Sequence, residues 1–152
     1  GYQTEDQLFD LQNDLLNELE EIVRLKIDEY YAEYKSRSSV FMSRWPASKI
    51  MKSWYVRLIQ GGYQDAHMHS LGWLSGVVYL STIEHPTNGE GSIEFGLHGY
   101  DYKILNKNIP KQQYQPSNGD LVLFPSSLFH KTIPVRQNCD RSVIAFDLMP
   151  AS

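Results

Sequence analysis

The chain has 152 residues and a net charge of −4, with 41% hydrophobic and 21% charged residues. This length and balance are typical of one globular domain, 1–152, with a single core. The negative net charge argues against a broad phosphate-binding face, so a nucleic-acid partner is not expected. No apolar run reaches the ~18 residues that span a membrane, and no signal peptide is visible, so we expect no membrane association.

Cys139 is the single cysteine, so the chain cannot form an internal disulfide. A reducing, cytoplasmic setting is the simpler interpretation of this cysteine usage. The chain opens at Gly1 and enters a helical pattern within a few residues, which suggests a domain taken from a longer protein.

The first predicted element is a long helix over residues 4–35, in a helical region of residues 1–36. Apolar residues recur there at spacings of three and four, which gives one apolar stripe: Leu8, Leu11, Leu15, Leu19, Ile22, Val23, Ile27, Tyr30 and Tyr34. Thr4, with Gln7 three residues later, fits a capping box at the start of the helix. We expect the helix to pack against a sheet, and it could also pack against a second copy in a homo-oligomer.

The rest of the chain, 49–150, predicts a β core of about eight short strands separated by turns. The strands are expected at 49–60, around 67–69, and at 74–81, 92–95, 109–115, 121–124, 130–135 and 141–148, and the LVLF run at 121–124 is typical of a fully buried strand. One helix followed by many strands predicts a mainly β protein, a sandwich or barrel backed by a helix.

Three histidines and one arginine stand out from this pattern. His67 and His69 are two residues apart, and residues i and i+2 of a strand point to the same face. Both imidazoles could therefore reach one metal ion. An HxH pair alone is a weak signal, but the later segment FPSSLFHKTIPV adds His130, and Arg141 follows downstream.

Four motifs occur in the order found in the 2-oxoglutarate- and Fe(II)-dependent oxygenase superfamily. They are HMH at 67–69, LSGVVYL at 74–80, PSNGDLVLFPSSLFH at 116–130 and RSVIAFD at 141–147. The chain resembles more narrowly a bacterial and phage branch of these oxygenases. The resemblance implies a double-stranded β-helix, the cupin-like jelly roll, with the long N-terminal helix packed on it and the metal at the open end of the barrel.

The resemblance also implies a ligand set, with one departure. The superfamily's usual metal ligands are two histidines and one carboxylate. His67 and His130 match the two histidines, whereas His69 stands at the carboxylate position. Either three histidines hold the metal, which we favour, or His69 is not a ligand and water completes the site. Asp65 shares strand parity with both nearby histidines and could substitute for His69 if the register shifts.

The same resemblance implies Fe(II) as the metal and 2-oxoglutarate as the cosubstrate. Arg141 matches the basic residue on the last strand that holds the far carboxylate of 2-oxoglutarate, since a guanidinium can bind a carboxylate through two hydrogen bonds. Tyr79 matches a strand tyrosine that hydrogen-bonds the same carboxylate. Without the motif, Arg141 would be read as a surface residue paired with Asp140 or Asp147, and Tyr79 as a core residue.

These features predict a dioxygenase that couples oxidative decarboxylation of 2-oxoglutarate to oxidation of a small molecule or a protein side chain. Substrate recognition is expected in the loops 84–92 and 96–108. Two alternatives stay open: a cupin-like three-histidine metal protein that does not use 2-oxoglutarate, and a jelly-roll binding module without activity.

Overall fold

The computed structural model describes residues 1–5 and 7–151. Its elements in chain order are β1 (Tyr2–Gln3), a 3-10 turn (Leu8–Asp10), α1 (Asp14–Tyr34), α2 (Val40–Ser43), β2 (Lys49–Leu58), β3 (Gln64–His67), β4 (Leu74–Ser81), β5 (Ile93–Gly96), β6 (Gln112–Tyr114), β7 (Leu121–Pro125), β8 (Phe129–Thr132) and β9 (Arg141–Pro150).

The described strands form two antiparallel sheets. The larger sheet has the order β1-β2-β9-β4-β7, and the smaller has the order β3-β8-β5-β6. Buried apolar residues of both sheets meet in one cluster that includes Val77, Val143 and Ile93, so the sheets face each other. The prediction of a mainly β protein with one long helix is confirmed.

The larger sheet is covered on both faces, and its side chains alternate between them. On β9, Ile144 and Phe146 pack in a cluster with Val23 of α1, whereas Val143 belongs to the cluster between the sheets. Successive residues of a strand point to opposite faces. Arg141, at the start of β9, has the parity of Val143 and therefore lies on the interior face.

The helix begins at Asp14 and not at Thr4, so the prediction of a helix over 4–35 within 1–36 is wrong for its first third. Thr4 pairs with β2 instead, because its Oγ1 accepts a hydrogen bond from the Tyr55 amide at 2.9 Å. The cap is Asn13, whose side chain accepts from the Leu16 amide at 3.1 Å. An asparagine that satisfies a free amide of the first turn fixes the start of a helix at that point.

Two further details of the strands differ from expectation. The run 121–124 was predicted to be fully buried, but β7 is the edge strand of the larger sheet and only Phe124 within it is buried. β3 ends at His67, so His69 lies beyond the strand. In the part of the chain that the structure describes, no helix is both long and apolar enough to cross a membrane.

Candidate metal centre

His67 and His130 lie directly opposite each other on the neighbouring strands β3 and β8. Side chains at opposite positions of an antiparallel pair project to the same face, so both rings point between the two sheets. His69 reaches the same place from the turn after β3, where its amide donates to the Ser126 carbonyl at 3.0 Å. The structure therefore brings together the three predicted histidines, although only one of the first two is on the strand.

The three imidazoles form a compact group. Their ring centroids lie 4.4 Å apart for His67 and His130, 5.0 Å for His69 and His130, and 5.3 Å for His67 and His69. One ligand nitrogen from each ring lies within 4.8 Å of the others. Transition metals bind imidazole nitrogens at roughly 2.0–2.1 Å, so a single ion between the rings could contact all three after small ring movements.

Each of the three rings has its Nδ1 atom against an oxygen. The acceptors are the Asp65 carbonyl at 2.6 Å from His67, the Asp147 carboxylate at 2.7 Å from His69, and the Leu128 carbonyl at 3.1 Å from His130. Carbonyl and carboxylate oxygens only accept, so Nδ1 carries the proton in each ring and Nε2 keeps a free lone pair. This is the tautomer that binds metal through Nε2.

The structure gives no support to Asp65 as a replacement ligand. Its carbonyl holds the His67 ring, while its side chain is exposed and does not belong to the histidine group. Among the described residues, it is His69 and not Asp65 that lies with His67 and His130.

His130 is prepared to act as a neutral ligand. Burial, together with the neighbouring rings of His67 and His69, lowers its pKa to about 4, from a usual 6.5. At neutral pH the ring is therefore uncharged, and a metal ion does not have to displace a proton from it.

Arg141 is a buried cation, with 3% of its surface exposed. Its Nε donates to the Gly91 carbonyl at 2.7 Å, and its Nη2 donates to the Tyr79 hydroxyl at 3.4 Å. The guanidinium also lies 5.0 Å from the centre of the Tyr79 ring. Its Nη1 is buried and, among the described residues, has no hydrogen-bond partner.

The carboxylates that could have paired with Arg141 are engaged elsewhere. Asp140 accepts from Arg57 at 2.9 Å, and Asp147 accepts from His69. The interpretation of Arg141 as a surface residue paired with either aspartate is therefore wrong. A buried cation with a free donor is unfavourable unless an anion joins it, and burial lowers the pKa of Arg141 accordingly.

One cavity of about 280 Å³ contains both features. Its wall includes all three histidines and Arg141. The remaining lining residues are apolar or uncharged: Gln3, Trp54, Val56, Gln64, Ser75, Gly76, Val77, Ile93, Phe124, Thr132, Val143 and Ala145. Tyr79 contributes from behind Arg141 and is fully buried, which raises the pKa of its hydroxyl and keeps it neutral. The cavity can accept a metal ion at one end and a small carboxylate at the other.

Sequence reasoning missed the polar groups that support the site. Asp147 and Ser75 line up across β9 and β4, and Ser126 joins them from the turn after β7. Asp147 is six residues beyond Arg141 on one strand, so strand parity could have placed it inside. Its pairing with His69 depends on which strands become neighbours, which no local pattern shows.

Of three further side chains near the site, Trp73 and Glu94 lie outside the cavity and Trp54 lies in its wall. Trp73 stacks on Phe41 with ring centroids 5.6 Å apart. Glu94 faces away from the interior, where it lies 3.2 Å from Lys131 and 3.5 Å from Lys111. Trp54 does line the cavity, with its ring 5.7 Å from that of His69.

Comparison with known proteins places this site in a family. The family profile described as "Putative 2OG-Fe(II) oxygenase" matches residues 52–147, which include every residue of the cavity wall except Gln3. The chain belongs to this 2-oxoglutarate–Fe(II) oxygenase family. Iron(II) and 2-oxoglutarate are the metal and the cosubstrate of the family, as the motifs predicted.

Solved structures confirm the jelly-roll fold. A prolyl-4-hydroxylase from Pseudomonas putida is similar with a TM-score of 0.61 and 13% identity, over 99% of this chain and 71% of that one. The viral collagen prolyl hydroxylase of Paramecium bursaria Chlorella virus-1, solved with 2-oxoglutarate, has a TM-score of 0.62 and 13% identity, over 99% of this chain and 79% of that one. HygX from Streptomyces hygroscopicus, solved with nickel and 2-oxoglutarate, has a TM-score of 0.53 and 17% identity, over 68% of this chain and 59% of that one. Among curated proteins, none matches this sequence.

Proposed function

We propose that this protein is a 2-oxoglutarate- and Fe(II)-dependent dioxygenase in which His67, His69 and His130 hold the metal and Arg141 holds the cosubstrate. The observation that carries the proposal is Arg141, whose buried Nη1 has no partner in the described chain and which lines the same cavity as three imidazoles whose Nε2 atoms are free. A cation and a metal site in one small cavity suit a ligand with a carboxylate at one end and a chelating group at the other.

The donor set fits the metal. Imidazole nitrogens suit Fe(II) among the divalent ions, and three protein ligands would leave room on the metal for a chelating keto acid and for O₂. Arg141 is held by Gly91 and by the neutral Tyr79 hydroxyl, so its remaining donors have a fixed direction. A fixed guanidinium binds a carboxylate with little loss of side-chain freedom.

When bound together, Fe(II) and 2-oxoglutarate supply the oxidising power, since O₂ converts the keto acid to succinate and CO₂ and its second oxygen atom enters the substrate. The protein contributes orientation and a dry environment. Arg141 sets the direction of the keto acid, the histidines fix the metal, and the apolar walls of Val143 and Phe124 exclude water.

The substrate is proposed to be a small molecule or a protein side chain, and the loop 96–108 is proposed to recognise it. The Tyr100 hydroxyl donates to the Met68 carbonyl at 3.3 Å, which ties this loop to the residue between His67 and His69. Leu97, Tyr102 and other large side chains of the loop are exposed beside the site. The loop 84–92 contributes through Gly91, which contacts Arg141.

A second candidate function rests on the ligand set itself. Three histidines without a carboxylate are also consistent with a metal-dependent dioxygenase that binds its own anionic substrate at Arg141 and does not use 2-oxoglutarate. The two functions differ in one measurable respect, which is whether 2-oxoglutarate binds to the metal-loaded protein and is consumed.

The test loads the protein with Fe(II) without oxygen, adds 2-oxoglutarate, and then measures succinate after O₂ is admitted. We expect a visible absorption band on adding 2-oxoglutarate, slow succinate formation without substrate, and loss of both in the H67A variant. Metal binding with no band and no succinate would favour the second candidate. No metal binding at all would favour a binding module without activity.

Two broader expectations stay predictions. A cytoplasmic location is supported by the single unpaired cysteine, Cys139. A homo-oligomer is supported by the exposed side chains of Leu15, Ile22 and Leu25 on α1. Light scattering of the purified protein, compared with an I22K variant, tests the second expectation, and equal molecular masses at the monomer value would contradict it.

A further inference from the structure

Of the three histidines, His69 alone is backed by a charged group. The other two Nδ1 atoms contact backbone carbonyls, whereas that of His69 contacts the Asp147 carboxylate at 2.7 Å. We propose that Asp147 is a positioning residue of the metal centre, which fixes the His69 ring and returns to the site the negative charge that a carboxylate ligand would supply. This inference rests on the proposed function, since it assigns a role at the same metal site.

Asp147 is held in a fixed place. It lies on β9 opposite Ser75 of β4, with 9% of its surface exposed. Its Oδ1 accepts from the Ser75 hydroxyl at 2.6 Å, and that hydroxyl lies 2.8 Å from the Ser126 hydroxyl. Ser75 and Ser126 are both buried, so the carboxylate has a rigid hydrogen-bonded support behind it.

The ion pairs of the described residues give Asp147 one basic partner, which is His69. The electrostatic interaction between a buried carboxylate and its hydrogen-bond donor is strong, because little water screens it. A carboxylate at Nδ1 makes the opposite nitrogen of an imidazole a stronger metal ligand. The usual facial triad contains one anionic ligand. Here the anion is Asp147, which would act on the metal through the His69 ring and not as a direct ligand.

His69 needs such support because it is outside the sheet. His67 and His130 are positioned by the ladder between β3 and β8, but His69 follows the end of β3. Gly72 closes the turn by donating to the His69 carbonyl at 3.1 Å. A Cβ at Gly72 would lie 2.4 Å from the Ser126 Oγ, so glycine there allows the turn to approach the serine.

The test measures Co(II) affinity, by competition with a chelator, for the wild type, D147N, H69A and the D147N/H69A double variant. D147N keeps the size of the side chain and removes its charge. We expect about 10- to 100-fold weaker Co(II) binding for D147N and an altered visible Co(II) spectrum. In the H69A background, D147N is expected to have little further effect, because Asp147 acts through His69.

Matched controls separate this role from a structural one. D140N removes an exposed carboxylate next to Arg141 in the sequence and breaks its ion pair with Arg57, and it should leave Co(II) binding unchanged. S75A removes one donor that holds Asp147 but keeps the Asp147 charge, so a loss of Co(II) affinity smaller than that of D147N is expected. The melting temperature of each metal-free variant reports on folding. If D147N does not fold, S75A takes its place, and a Co(II) affinity of S75A equal to that of the wild type would overturn the proposal.

The outcomes distinguish the two levels of inference. Co(II) binding by the wild type with equal affinity and spectrum for D147N would overturn the role of Asp147 and leave the proposed function standing. Additive losses in D147N and H69A would also overturn it, since they would show that Asp147 acts independently of His69. A wild type that binds no Co(II) would overturn both the metal site and this inference.

Discussion

Arg141 shows at the scale of a single residue how stability and binding oppose each other. Burial of a guanidinium is unfavourable, and the hydrogen bonds to Gly91 and Tyr79 satisfy only some of its N–H donors. Arg141 lines the cavity, and its Nη1, which has no partner among the described residues, is the donor left for a ligand. A residue selected for stability alone would be apolar at this position, so the arginine indicates binding.

Arg141→Gln is expected to weaken 2-oxoglutarate binding roughly 10- to 100-fold, because hydrogen bonds to a charged partner contribute about 1.5–3 kcal/mol. Metal affinity should stay unchanged. Calorimetry measures both affinities, with metal added to the metal-free protein and 2-oxoglutarate added to the metal-loaded protein. Arg57→Gln, which breaks an exposed ion pair, serves as the control. Equal affinity for 2-oxoglutarate in R141Q and the wild type would contradict the role of Arg141.

The histidines show what a sequence can predict about individual residues. His67 and His130 belong to motifs, and their assignment needed only the order of those motifs. Asp147 has no motif of its own for its role, and its importance depends on the neighbouring position of β4 and on the turn after β3. Contacts of this kind join residues 78 positions apart in the chain, and local patterns carry no information about them.

At the scale of elements, the loop 84–92 is held to the loop after β8 by one carboxylate. Glu90 is 1% exposed and accepts hydrogen bonds from the amides of Arg136 at 2.7 Å and Thr87 at 3.1 Å, and also from the Gln137 side chain. These bonds lower the pKa of Glu90 to about 2, from a usual 4.5. The same loop carries the Gly91 carbonyl that holds Arg141.

Glu90→Gln is expected to lower the melting temperature at pH 7, because the charged acceptor is replaced by a neutral one. The folded-state pKa lies below the unfolded value, so the stabilisation by Glu90 is present above about pH 4.5 and is lost as the pH falls toward 2. The difference in melting temperature between E90Q and the wild type should therefore shrink across that range. Glu84→Gln, at an exposed position of the same loop, is the control. A difference independent of pH would contradict this account.

The start of α1 gives a second test at this scale. Asn13→Ala removes the side-chain acceptor for the Leu16 amide and is expected to lower the free energy of unfolding by about 1 kcal/mol. Asn13→Asp keeps an acceptor and should leave stability nearly unchanged. Urea denaturation followed by circular dichroism measures both. A fully stable N13A would show that the helix does not depend on this cap.

The apolar stripe predicted a helix correctly for Asp14–Tyr34 but extended it too far toward the N-terminus. Leu8 and Leu11 continue the spacing of the stripe, yet Phe9 is the buried residue of that segment and its amide donates to Ser53 at 2.9 Å. Pairing of Tyr2–Gln3 with β2 prevents a continuous helix there. Tertiary contacts override periodicity where a segment has a strand to pair with.

At the scale of the whole molecule, the larger sheet joins the helix and the site. Phe146 of β9 packs beside Gly76 of β4, where a Cβ would lie 2.1 Å from the Phe146 ring. Gly76 therefore leaves room for the Phe146 ring on the helix-covered face, and it also belongs to the wall of the cavity. The sequence pattern predicted eight of the nine described strands and missed β1, and it carried no information about such inter-strand fits.

Gly76→Ala is expected to destabilise the protein by about 1–3 kcal/mol or more, since it adds a methyl group to a filled space. Gly96→Ala is the matched control, because the nearest atom to a Cβ there is Lys111 Cγ at 3.9 Å. The double variant G76A/F146L should recover part of the loss. Thermal denaturation of the four proteins measures this, and equal stability of G76A and G96A would show that the contact is not tight.

The measurement that tests the central claim most directly is a crystal structure grown without oxygen in the presence of Mn(II) and the inert analogue N-oxalylglycine. We expect one metal ion bound by the Nε2 atoms of His67, His69 and His130, with the analogue chelating it and its distal carboxylate on Arg141. A metal bound elsewhere, or an analogue carboxylate away from Arg141, would contradict the account.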